Sequence, residues 1–390
     1  MDAPIYLDHH ATTPLDPRVL EAMMPYLTSR FGNAASRTHS YGWEAEHAID
    51  VSRERLAAAV GASPRDIVFT SGATEANNLA LFGIARGTPG AVAAPVTEHK
   101  AILDVLTALE SEGTRVHRLE VEPDGLVSRR AVTEALGAGL ALLSVMHANN
   151  EIGVIQPISA LASEAHAAGA LFHTDAAQSL GKLPLHAEEM GLDLVSLSAH
   201  KVYGPKGIGA LVVRRSARQR IRPLQYGGGH EGGLRSGTLP VALIVGFAEA
   251  VALAVAEREA EATRLATLRD HLYARLVTTL PAVVLNGHPV HRLPGNLNIS
   301  IDFVEADALL TMMPGVALST GSACTSESDE PSYVLVAIGR RGTEARTALR
   351  FGLGRDTTRA EVDEAADAVV AAVQRLRSLS PRWAERRPDA

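Results

Sequence analysis

The segment Leu192-Asp193-Leu194-Val195-Ser196-Leu197-Ser198-Ala199-His200-Lys201-Val202-Tyr203-Gly204-Pro205-Lys206-Gly207-Ile208-Gly209 passes from an apolar run into a bend rich in glycine and proline. The run has the length and composition of a buried strand, and the Gly-Pro cluster ends it. Lys201 therefore falls where a strand meets a bend, so its ammonium can be held at a pocket wall, partly out of water. Its pKa then falls and it acts as an amine. Such a lysine can form a Schiff base, and Ser198 and His200 beside it offer a hydroxyl and an imidazole for a phosphate. Taken alone, the same residues also describe a surface lysine in a loop.

Working outward, strand candidates at 91–95, 114–121, 140–146, 169–173, 192–198 and 209–213 mostly alternate with helical patterns. That rhythm predicts an α/β fold with a mainly parallel sheet covered on both faces, where ligands bind beyond the carboxyl ends of the strands. Polar clusters fall at those ends: Thr97-Glu98-His99-Lys100, His147-Ala148-Asn149-Asn150-Glu151, Asp175-Ala176-Ala177-Gln178 and Ser198 to Lys201. Upstream, the strand candidate 66–70 leads into Ser71-Gly72-Ala73-Thr74-Glu75, a turn that opens a helix. Free N–H groups and the helix dipole there favour an anion, although a helix capped by Thr74 or Ser71 is the plain alternative. A phosphate turn and a Schiff-base lysine are the two handles of pyridoxal phosphate.

Around this centre, 6–14 is an extended segment, Asp16-Pro17 starts a helix, and 42–60 is a second helix. A glycine loop at 226–238 precedes a long helical pattern, 241–280, that joins two domains. Beyond it, strands at 297–303 and 316–320 bracket a helix near 306–313, and a last helix spans about 360–379, an α+β arrangement. We expect residues 13–257 to form the cofactor-binding domain. Residues 1–12 and 258–390 would form a smaller domain carrying the polar loop Gly321-Ser322-Ala323-Cys324-Thr325-Ser326-Glu327-Ser328.

Composition narrows the classes. The 390 residues are 46% hydrophobic and 21% charged, with a formal charge of -7 spread along the chain, which speaks against nucleic acid or a membrane surface as partner. No apolar run is long enough to span a bilayer, the start lacks a signal-peptide pattern, and one cysteine excludes internal disulfides, so a cytoplasmic location is expected. Neither G-x-G-x-x-G after a strand nor a P-loop is present. His9-His10 and the pair His288 and His291 are weak metal signals, and no metal is expected. A Cys-His hydrolase would leave Lys201 and the phosphate turn unexplained.

In order and spacing, T-E-H-K at 97–100, H-A-N-N-E-I-G at 147–153, D-A-A-Q-S at 175–179, S-A-H-K-V-Y-G-P-K-G at 198–207 and G-S-A-C-T-S at 321–326 resemble the cysteine desulfurases. These are pyridoxal-phosphate enzymes of the class V aminotransferase group, with the aspartate aminotransferase fold (fold type I), and the likeness runs from Tyr6 to about Trp383. The cysteine loop is similar to that of the group serving iron-sulfur assembly and tRNA thiolation. The resemblance implies that Lys201 binds the cofactor aldehyde and moves the substrate α-proton, Asp175 pairs with the pyridinium nitrogen, and His99 stacks on the ring. Asn150 and Gln178 would bond the ring hydroxyl or substrate. Thr74, Ser198 and His200 would hold the phosphate, with Thr238 reaching across from the other subunit of a homodimer. Arg350, with Asn33 beside it, would bind the carboxylate of L-cysteine, and Cys324 would take up its sulfur as a persulfide for an acceptor such as an iron-sulfur scaffold or a thiolation carrier. A selenocysteine lyase could share every one of these residues, and a sulfur-carrier protein with a vestigial site is the reading from another class. Three departures stand out: Ala34 where relatives often have proline, Gly232 where they often have arginine, and an end at Ala390 without a longer tail, which leaves the acceptor open.

Overall fold

The computed structural model describes residues 3–320, 331–341 and 344–385. A short strand β1 (Ile5–Tyr6) precedes helices α1 (Pro17–Leu27) and α2 (Ser40–Ala59). The Asp16 carboxylate caps α1 by accepting the Arg18 backbone N–H, and Pro17 occupies the first turn, where a missing N–H breaks no helix bond. The main sheet then builds up through β2 (Ile67–Thr70), α3 (Ala73–Gly87), β3 (Ala91–Pro95), α4 (Lys100–Ser111), β4 (Val116–Leu119), α5 (Arg129–Gly137), β5 (Leu140–Ser144), α6 (Ile158–Ala167), β6 (Leu171–Asp175), β7 (Leu194–Ser198) and β8 (Gly209–Val213).

The strand order is β2-β8-β7-β6-β5-β3-β4. β4, β3, β5, β6 and β7 pair in parallel, as the alternation of strands and helices predicts. β8 runs antiparallel to both β7 and β2. The reason lies in the segment that carries Lys201: residues 199–208 are too few for a crossover helix, so the chain turns straight back. Every residue of β2, β3, β5, β6, β7 and β8 is buried, because helices cover both faces. One face packs on α2, α6 and the start of α8, the other on α3 and α4.

After α7 (Arg215–Arg218), helix α8 (Val241–Thr279) runs 39 residues, about 58 Å at 1.5 Å per residue. Its first half packs in the core under the main sheet, while Leu265, Leu268, Leu272 and Leu276 enter a separate core. That second core is built from β9 (Val283–Leu285), β10 (Asn296–Ile301), α9 (Ala306–Met312), β11 (Val316–Ala317), β12 (Ala348–Gly352) and α11 (Arg359–Leu379), with Leu7 joining from the N-terminal segment. Between β11 and β12 lies α10 (Tyr333–Ala337), and α12 (Pro381–Ala384) closes the described chain. β12, β10 and β9 form an antiparallel sheet, and β1 pairs with β11. A reciprocal Thr358–Glu361 capping box starts α11.

Two expectations change. The strand expected at 316–320 contracts to β11, with Ser319 bridging to Arg350. Residues 348–352, in which no strand was read, form β12, all five buried, because an arginine inside an apolar stretch masks the pattern until its partner is visible.

Candidate active site

A cavity of about 560 Å³ opens at the carboxyl ends of β5, β6 and β7. Thr74, His99, Asn150, Asp175, Gln178, Ser198, His200, Lys201 and Arg350 all line it. Parallel strands end on one edge of the sheet, so residues far apart in the chain converge there.

Lys201 sits in the tight return from β7 to β8, and its ammonium donates to the carbonyls of His10 (2.6 Å) and Ala11 (2.8 Å). Gln178 holds the same segment, donating through Nε2 to the His10 carbonyl while Oε1 lies 3.1 Å from His10 Nδ1. Asp175 ends β6, and its carboxylate accepts from Asn77 Nδ2 at 2.7 Å and from the Ala177 N–H at 2.9 Å. His99 caps α4: its Nδ1 accepts the Ala101 N–H at 3.1 Å, which assigns the proton of the neutral ring to Nε2.

The turn before α3 suits an anion. Gly72 occupies the N-cap position at φ +155° and no side chain caps the helix, so its first N–H groups stay available. A Cβ on Gly209 would lie 2.7 Å from Gly72 Cα, so glycine there lets the turn lie against β8 and brings it near Ser198 and His200. Burial, followed by the charges of Lys201, Lys206 and Lys182, pushes His200 down to about 4, so at neutral pH it is an uncharged imidazole, 3.1 Å from Thr12 Oγ1.

Arg350 points into the cavity from β12 and is 2% exposed. Nη2 pairs with Asp8 at 2.7 Å and Nη1 donates to the Asn150 carbonyl at 3.0 Å. Its buried Nε has no partner among the described residues, nor has Asn150 Oδ1. Buried polar groups left unpaired are costly, so both mark positions a ligand completes. An open helix N-terminus for a phosphate, Lys201 for an aldehyde, Asp175 for a pyridinium and a spare donor on Arg350 together fit pyridoxal phosphate carrying an amino acid.

Two expected residues lie elsewhere. Asn33 is exposed, its Oδ1 accepting the Ala35 N–H, and Thr238 is exposed on the glycine loop; neither lines the cavity. Cys324 lies outside the described residues. At Gly232, φ is +64° and a Cβ would meet Arg218 Nη2 at 2.5 Å, so a larger residue there requires the Arg218 guanidinium, whose Nη1 donates to the Arg65 carbonyl, to shift. Asp8 and Asn77 were given no role by the sequence reading, and Glu151 was read only as part of a strand-end cluster: their partners are 342, 98 and 181 positions away. Asn77→Ala is expected to cost about 1.5–3 kcal/mol of Asp175 support and to weaken cofactor affinity about tenfold, measured by titrating cofactor into the stripped protein.

Comparison with known proteins agrees with this geometry. Residues 5–365 match the Aminotransferase class-V family. The cysteine desulfurase IscS of Anaeromyxobacter dehalogenans (strain 2CP-C) is 51% identical over 386 residues, 98% of this chain and 96% of that protein. Among solved structures, a NifS-like protein superposes with a TM-score of 0.88 at 33% identity, covering 95% of this chain and 99% of the other. A second, SspA in complex with cysteine, gives 0.79 at 37% identity, over 90% and 98%. The chain thus belongs to the class V aminotransferases, in the branch of the cysteine desulfurases. Among the described residues no helix is long and apolar enough to cross a membrane.

Proposed function

We propose that this protein is a pyridoxal-phosphate enzyme that converts L-cysteine to L-alanine and carries the released sulfur as a persulfide on Cys324. The observation that carries this reading is the single cavity in which Lys201, Asp175 and the open turn before α3 face the spare Nε of Arg350. Bound there, the cofactor supplies an electron sink next to the substrate α-carbon. The chain does the rest. Arg350, oriented by Asp8, fixes the substrate carboxylate, and Lys201 Nζ exchanges the proton at the α-carbon. His99 Nε2 hands a proton to the substrate or takes one from it, and Asn77 orients the Asp175 carboxylate. The Cys324 thiolate attacks the substrate sulfur, so one C–S bond breaks as one S–S bond forms; cysteine plus thiol becomes alanine plus persulfide, with no external oxidant.

The active unit is a homodimer in this reading. Leu20, Met24 and Leu27 form an exposed apolar stripe on α1, and Phe31, Tyr41 and Trp43 are exposed nearby in sequence, which suits a second copy. Thr238 and Asn33, outside this chain's own cavity, would then serve the partner's site. Residues 13–257 form the cofactor domain, and 1–12 with 258–390 the small domain. The protein would work in the cytoplasm, where a lone thiol stays reduced, passing sulfur to an iron-sulfur scaffold or a thiolation carrier.

The substrate comparison tests the reading. Purified enzyme with a thiol reductant is expected to release alanine and sulfide in equal amounts from L-cysteine. Turnover of selenocysteine alone would replace this function with that of a selenocysteine lyase, and a colourless protein inert to both would point to a sulfur carrier with a vestigial site.

A further inference from the structure

One titratable group in the cavity has no part in the steps above. Glu151 is 2% exposed and lines the cavity with His99 and Arg350. Its backbone is clamped: the carbonyl accepts from Asn298 Nδ2 (3.1 Å) and Asn296 Nδ2 (3.2 Å) on β10, and the N–H donates to Asn149 Oδ1 (2.8 Å). Its side chain is held by Ser332, whose hydroxyl donates to Oε2 at 2.6 Å. One hydroxyl is meagre compensation for a carboxylate out of water. Burial pushes Glu151 up to about 7, against the opposing effects of Ser332, Arg350 and His99. Lys100, next to His99 in sequence, and Tyr333, next to Ser332, also line the cavity, as do His10, Glu75, Asp175, His200, Lys201 and Lys206.

Arg350 carries one positive charge, and Asp8 already pairs with it. A substrate carboxylate at Nε brings a second negative charge to this guanidinium, and an ionised Glu151 would be a third. Like charges crowded out of water disfavour one another's ionised forms. We propose that Glu151 is a positioning residue that must be protonated for the substrate carboxylate to occupy Arg350, and that it thereby sets the upper pH limit of substrate binding. The proposal rests on the reading of Arg350 as the carboxylate site. The sign follows from linkage: Glu151 is neutral below about pH 7 and the carboxylate binds; as pH rises it ionises and affinity falls. Binding above that pH takes a proton from solvent onto the Glu151 carboxyl.

The test measures the Kd of the holoenzyme for L-alanine, a carboxylate probe with no sulfur to lose, and the KM for L-cysteine, from pH 6.5 to 8.5. For both, the ratio of the wild-type to the Glu151→Gln value is expected to rise with pH by about tenfold, the effect of one pKa unit, in Kd and KM rather than in kcat. The probe's amino group titrates alike in both proteins and cancels in the comparison. Ser332→Ala removes a donor to the ionised carboxylate and is expected to move the rise to higher pH, which keeps the idea testable if Glu151→Gln does not fold. A pH dependence unchanged in either variant overturns the proposal. Arg350→Gln separates the two readings: wild-type affinity for L-alanine there would remove the carboxylate site itself, whereas lost affinity beside an unaltered Glu151→Gln profile would sink only the role of Glu151.

Discussion

Lys201→Ala is expected to fold, to emerge colourless from gel filtration after incubation with pyridoxal phosphate, and to turn over L-cysteine roughly 10³-fold more slowly or worse. In the proposed reaction the loss would have two sources, the covalent hold on the cofactor and the base that moves the α-proton, both on one nitrogen. Folding survives because the bonds that Lys201 leaves are replaceable. The His10 carbonyl keeps its donor, Gln178 Nε2, and the Ala11 carbonyl faces a cavity that water can enter. The structural cost is then about 1–3 kcal/mol, visible as a modest fall in Tm. A variant that kept its colour through gel filtration and retained a tenth of the activity would show that another amine carries the chemistry.

Cys324→Ala is expected to behave oppositely in one respect. Its colour and its affinity for L-cysteine stay, because Lys201, Asp175 and Arg350 are all kept, while alanine and sulfide production fall roughly 10³-fold. Attack at sulfur needs a thiolate, and this chain contains no other cysteine to stand in. Mass spectrometry of wild type quenched during turnover should find one added sulfur atom on the peptide holding Cys324. An unmodified peptide together with undiminished sulfide release from the variant would mean that sulfur leaves by another route. The two variants would thus divide the proposed reaction between the nitrogen that holds the cofactor and the sulfur that receives the product.

The readable part of this protein follows from local pattern. Apolar runs of strand length alternating with helical periods gave the main sheet, and the polar clusters at their carboxyl ends gave Lys201, Asp175, His99, Asn150 and Gln178, because parallel strands must end on one edge. The uncapped turn before α3 was legible for the same reason: a strand, small residues and a helix start are consecutive in the chain.

What stayed hidden were pairings across distance. β12 contains Arg350 within an apolar stretch, and only the Asp8 carboxylate, delivered by a segment 342 positions away, shows why an arginine is tolerated there. Asn77 looks like any helix residue until α3 lies beside the end of β6 and its amide meets Asp175. The reversal of β8 follows from the length of 199–208, which the sequence displays, but its consequence, a lysine pinned between two carbonyls of the N-terminal segment, needs the packed chain.

The sequence by itself placed the candidates Lys201, Asp175, His99, Asn150 and Gln178 at the carboxyl ends of parallel strands, on one sheet edge. The tertiary structure alone decided which partners hold them, that Arg350 is left with a spare donor, and which groups, like Glu151 and His200, are forced toward neutrality. Charge state depends on burial and on partners remote in sequence, and neither exists before the chain has folded.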